Sequence, residues 1–178
     1  MYGREEHAVI SEQTMRQVDQ RLEREGIALS GALFPAGITP LETALLRYIY
    51  AYMPSGDRAD MEIPIALSFA RHGAMLRESV PWTRALPEDI FLRYVLCHRV
   101  GNEGLEANRP ALFEALYPRL RGKTAREAVL ETNLWCMQRV SYRSTDVRTL
   151  PPLALVKTAS GRCGEESVFT VSALRSVG

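Results

Sequence analysis

Gly161-Arg162-Cys163-Gly164-Glu165-Glu166-Ser167-Val168-Phe169-Thr170-Val171-Ser172-Ala173-Leu174-Arg175-Ser176-Val177-Gly178 sets a cysteine between two glycines at the head of a small, apolar run. Val168, Val171 and Leu174, with Ser172 and Ala173 among them, mark that run as a helix. The positive end of a helix dipole favours the anionic form of a thiol placed there, and the thiolate is the nucleophile. Gly161 and Gly164 would let the backbone approach a substrate, and the Cys163 N–H could donate to an oxyanion. Glu165 and Glu166 complement the same dipole, yet as anions they oppose a thiolate. A nearby histidinium, or carboxylates turned away, would relieve that conflict. The plain alternative is a small buried residue at a helix start, since one cysteine alone is weak evidence for catalysis.

Working back from Cys163, residues 141–162 read as a long polar connection containing Pro151-Pro152, without convincing strands. Before it, Thr124 and Glu127 form a capping box that starts a helix through Val129, Leu130, Leu134, Trp135, Met137 and Val140. Arg109-Pro110 opens a shorter helix ended by Pro118 and Gly122, and Gly101-Asn102-Glu103-Gly104 is a turn. Pro87-Glu88-Asp89 opens a helix holding Phe91, Leu92, Val95 and Leu96, with Cys97 and His98 on it. Further back, Thr39-Pro40-Leu41-Glu42 is another capped helix start, whose stripe of Leu45, Leu46, Ile49, Tyr52 and Met53 runs to Pro54. Ser55 to Asp60 reads as a polar turn. A helix after Pro64 carries Leu67, Phe69, Ala70 and Leu76, and another holds Met15, Val18 and Leu22 and stops at Gly26. Two prolines within 79–87 make that segment a candidate boundary.

The 161–178 stretch resembles the nucleophile helix of the transglutaminase-like superfamily, with its Gly-x-Cys motif and a small, apolar helix closing in Leu-Arg-x-x-Gly. The helix holding Leu134-Trp135-Cys136 and Val140-Ser141-Tyr142 is similar to the family's preceding block. The likeness spans about residues 85–178, is strong over 155–178 and thin before 80. It implies a papain-like Cys-His-Asp triad acting on an amide carbonyl through a thioester, with Cys163 the nucleophile. It places the histidine and aspartate on strands downstream of the helix, so the chain is expected to lack its general base and to be close to inert. Losing a triad partner costs several powers of ten in turnover. Hydrolysis is favoured over transamidation, following the family's bacterial members.

The resulting expectation is a mainly α chain in two parts. Residues 1–80 form a helical accessory domain. Residues 85–178 form the helical half of an α+β transglutaminase-like domain, truncated before its β-sheet. The apolar face of Val168, Val171 and Leu174 would then lack its cover, which favours self-association through residues 160–178 or weak order there.

The resemblance implies a peptide or amide substrate as the partner, and composition argues against other classes. With 22 basic and 21 acidic residues and no basic block, nucleic acid and anionic membranes are not expected. No apolar run is long enough to span a bilayer, and Met1 to Ile10 has no signal-peptide core, so a cytoplasmic location is favoured. Three scattered cysteines are not a disulfide framework, and Cys97-His98 with Cys136 lack zinc-ligand spacing, so neither metal nor cofactor is expected. Cys97 and Cys136 read as inert, helix-buried thiols. His72 and His98 read as packed or surface residues, His7 as exposed near the terminus, and Trp135 and Tyr142 as core, with Tyr142 close to the path to Cys163. The rival from another class is a helical interaction module in which Cys163 is a vestige.

Overall fold

The structure, a computed structural model, describes residues 9–144 and 148–178. It is mainly α-helical, and no described helix is long and apolar enough to cross a membrane. The chain divides into two compact units, Met1–Leu96 and Cys97–Gly178. His7 lies outside the described residues.

The first unit is built on α1 (Glu12–Arg24), α2 (Pro40–Tyr52) and α4 (Ile63–Ser79), with α2 packed along α4. Its core holds Val18, Leu45, Leu46, Ile49, Phe69 and Leu76. The signals at the start of α2 act as expected. Thr39 Oγ1 accepts the Glu42 N–H at 3.1 Å, and Glu42 Oε2 accepts the Thr39 N–H at 2.9 Å. Gly26 ends α1 with φ 63°, a backbone that glycine adopts without steric cost. Ser55–Asp60, read as a turn, is a short helix, α3.

Residues 85–96, grouped by sequence with the second part, pack with the first unit. Arg77 Nη1 donates to the carbonyls of Thr83 and Leu86, both at 2.7 Å, and the guanidinium lies 5.3 Å from the Phe91 ring centre. Glu88 accepts from the Ser11 N–H at 2.7 Å and from Ser11 Oγ at 2.8 Å. The prolines at 81 and 87 therefore start short helices, α5 (Pro81–Ala85) and α6 (Glu88–Ile90), where the sequence suggested a boundary. The helix expected through Leu96 winds into a π-helical turn, Phe91–Val95, and stops. Cys97 and His98 consequently stand in a loop.

In the second unit α10 (Cys163–Val177) is central, packed by α7 (Arg109–Leu116), α8 (Ala125–Met137) and α9 (Pro152–Thr158). Thr124 and Glu127 close their capping box at the start of α8. Trp135 and Phe169 stack at 5.6 Å in the core, and the Arg139 guanidinium lies 4.0 Å from the Trp135 ring centre. The expected open apolar face is not seen at Val168, which is buried, while Val171 and Leu174 are half-buried.

The described residues of the connection 141–162 carry more regular structure than its composition suggests; residues 145–147 lie outside the described ones. β1 (Ser141–Tyr142) pairs in parallel with β2 (Ser160–Gly161), Ser141 opposite Ser160 and Tyr142 opposite Gly161, and α9 fills the interval. The loop between Leu96 and α7 is held by side chains that satisfy its backbone groups. Arg99 Nε donates to the Glu103 carbonyl at 2.8 Å and Arg175 Nη1 to the Arg99 carbonyl at 2.7 Å, while Arg109 reaches the Cys97 carbonyl. Glu103 accepts the N–H groups of Val100 and Gly101. Arg109 is fully enclosed; burial and the nearby Arg175 push its pKa down to about 9, with Cys97 partly opposing them.

Candidate functional site

Cys163 is the first residue of α10 and its thiol is exposed. Arg162, extended at φ −75° and ψ 171°, precedes the helix, and the parallel pairing fixes the approach, with the Arg143 N–H bonded to the Gly161 carbonyl at 2.8 Å. The N–H groups of Cys163 and Gly164 fall in the first turn, where no intrahelical carbonyl is available to accept them. Around Gly164, a side-chain carbon would meet no atom beyond its chain neighbours and its own helix backbone within 4 Å. An exposed sulfur, two first-turn amides and open space above them make up the local geometry.

The two flanking glycines serve different ends. The space at Gly161 is already filled by the protein, because a Cβ there would sit 2.8 Å from Glu165 Cβ and 3.1 Å from Leu155 Cδ2. Gly161 therefore lets α10 and α9 close on the strand, and the expectation that it admits a substrate is corrected. Only Gly164 keeps an open approach.

The conflict between the glutamates and a thiolate is resolved for Glu165 by its direction. Glu165 is 1% exposed and turned inward. Its Oε2 accepts the Arg162 N–H at 2.7 Å and faces Arg162 Nε at 3.4 Å, while Oε1 accepts the Leu150 N–H at 3.0 Å. Burial would raise its pKa, but the two backbone donors and the Arg162 guanidinium outweigh burial and hold it below the ordinary carboxylate range. Sequence reading gave Glu165 only the role of complementing the helix dipole. The available signal was its position, three residues after the helix-preceding Arg162, where an acidic side chain reaches back to the backbone.

Glu166 is half-buried and lines a groove of ≈ 370 Å³ between α8 and α10. Met137, Val140 and Phe169 are its apolar walls, with Ser141, Thr170 and Cys136 adding polar atoms. Glu166 and Thr170 follow Cys163 at three and seven residues, on the same helix face. Cys136 is buried as expected; burial pushes its thiol pKa up to about 11 despite a hydrogen bond with Thr170 and the nearby Arg139. Cys97 differs from expectation, being half-buried in the loop with its Sγ 3.2 Å from the Arg99 carbonyl. Tyr142, expected in the core, is 65% exposed, two residues from Cys163 across the strand pair. His98 is half-buried in the loop after the π turn, and His72 is buried on α4.

Among the described residues no three His, Cys, Asp or Glu side chains gather as a metal site. The chain matches no family model, no curated protein and no solved structure.

Proposed function

We propose that Cys163 is the nucleophile of a transglutaminase-like acyl-transfer centre, taking the acyl group of a peptide or amide onto sulfur and passing it to water. The observation that carries this reading is an exposed thiol at the first position of a fifteen-residue helix, beside open first-turn amides. The sulfur attacks the amide carbon, and the carbonyl oxygen becomes an oxyanion for which the first-turn amides, without intrahelical acceptors, are the nearest donors in this reading. The C–N bond then breaks, the amine leaves with a proton, and a thioester remains. Water attacks the thioester carbon, the C–S bond breaks, and the acid is released with the thiol restored. The resemblance places the histidine that would move these protons, and its orienting acid, C-terminal to this helix. The described chain contributes the nucleophile, the amides and the groove.

The test compares thiols under one reagent. Protein treated with iodoacetamide or p-nitrophenyl acetate is digested, and the modification rates at Cys163, Cys136 and a short unstructured cysteine peptide are read by mass spectrometry. Cys163 is expected to outpace the peptide, with Cys136 slowest. A Cys163 rate at or below that of the peptide rejects the proposal.

A helical interaction module is the second reading, favoured by the exposed apolar residues Val129, Leu130, Leu134 and Met137 along α8. On this reading self-association runs through α8 rather than through residues 160–178. Sedimentation would then show dissociation on Leu130→Asp and no change on Cys163→Ala.

A further inference from the structure

Glu165 and Glu166 are neighbours in sequence, yet only Glu165 is engaged. No hydrogen bond or ion pair holds the Glu166 carboxylate among the described residues, and the residue is half-buried on the wall of an otherwise uncharged groove. A carboxylate on an apolar groove wall, with no ion-pair partner among the described residues, is a ready partner for a bound cation. The rest of the groove sets the shape of that cation. Met137, Val140 and Phe169 suit methylene groups, and Cys136, with its thiol held neutral, adds no competing charge. Ser141 and Thr170 offer hydroxyls alongside.

We propose that this groove is a subsite for a cation carried on an apolar stem, the side chain of a lysine or arginine flanking the amide that Cys163 attacks. The assignment rests on the acyl-transfer reading for its placement, because Cys163 lies one helical turn before Glu166 on the same face. The stem lies along Met137, Val140 and Phe169, and the cation meets Glu166.

Three chloroacetamides test it on the whole chain: N-(5-aminopentyl), N-pentyl and N-(2-aminoethyl). In each case the Cys163 sulfur bonds the methylene carbon, the C–Cl bond breaks and chloride leaves, so only the tail differs. The aminopentyl reagent is expected to modify Cys163 about fivefold faster than the pentyl reagent, relative to the same ratio on an unstructured cysteine peptide. The aminoethyl reagent, too short to span the apolar wall, should show little of that gain. Glu166→Gln should return the aminopentyl ratio to that of the peptide. Met137→Ser, at a site 69% exposed and therefore safe for folding, should reduce the advantage of the long stem. Equal gains for the two amines would mean that the charge near the thiol acts without the groove, and would overturn the proposal. So would a gain that survives Glu166→Gln. Slow acylation of Cys163 with the tail selectivity intact would reject the acyl-transfer reading and leave the groove assignment standing.

Discussion

Replacing Glu165 by alanine would strip the amides of Leu150 and Arg162 of an acceptor inside the protein. Buried donors left without partners, and the loss of charge-assisted hydrogen bonds, predict a destabilisation of about 2–3 kcal/mol, read as a lower urea midpoint. An unchanged midpoint would mean that water satisfies both amides. The pH dependence follows from the direction of the shift. A carboxylate held below its unfolded value contributes all its stabilisation above that value, about 4.3 for glutamate, and loses it as pH falls through the folded one. Gly161→Ala tests the same contact from the other side. Its Cβ would meet Glu165 Cβ at 2.8 Å, so a loss of about 1–3 kcal/mol is expected from forced displacement. These two changes probe the support of the first turn of α10 without touching the Cys163 sulfur.

At the scale of elements, the features legible in the sequence were helix starts with a mechanism. Thr39 with Glu42 and Thr124 with Glu127 satisfy amides that any helix must satisfy, so three residues suffice to place each start. Segments whose order depends on distant partners were less legible. Pro151-Pro152 looks like a break, yet Pro152 is the first residue of α9, whose Leu153 N–H is accepted by Glu106 Oε1 at 2.7 Å, from the loop before α7. No local pattern announces that acceptor. Apolar spacing continuing to Leu96 places Cys97 and His98 on a helix, but the π turn ends that helix and arginine side chains organise the loop leading to α7. Cys163 was legible from its glycines and the small residues after it, whereas the groove pairs residues of its own helix with Cys136, Met137, Val140 and Ser141, which no local pattern brings together. The end of α9 offers an element-scale test. Ala159 caps it in the left-handed region at φ 54°, a conformation that costs an L-residue about 1 kcal/mol or more. Ala159→Gly relieves that strain while enlarging the unfolded ensemble, so the expected gain is a few tenths to about 1 kcal/mol in thermal or urea unfolding. A loss of stability would show that the methyl group packs usefully there.

On the scale of the whole molecule, each unit contains a carboxylate clamp held below its ordinary range by hydrogen bonds, and one of the chain's two tryptophans. In the first unit Glu88 is pulled up by burial but held lower overall by hydrogen bonds from Thr14 and Ser11 and by Arg77. In the second, Glu165 follows the same logic through Leu150 and Arg162. Both contributions are present above the unfolded glutamate value and fade as pH drops through the folded ones, so acid should loosen each unit through its own clamp. Trp82 on α5 and Trp135 on α8 report the two units separately once the other is replaced by phenylalanine. In the Trp82→Phe background, Glu165→Gln should lower stability at neutral pH and flatten the acid dependence of the Trp135 fluorescence, because the group that titrates is gone. In the Trp135→Phe background the same substitution should leave the Trp82 acid curve in place, and Glu88→Gln should shift it. If Glu165→Gln moved both tryptophan curves equally, the clamps would not act unit by unit, and acid stability would have to be assigned to the chain as one cooperative body.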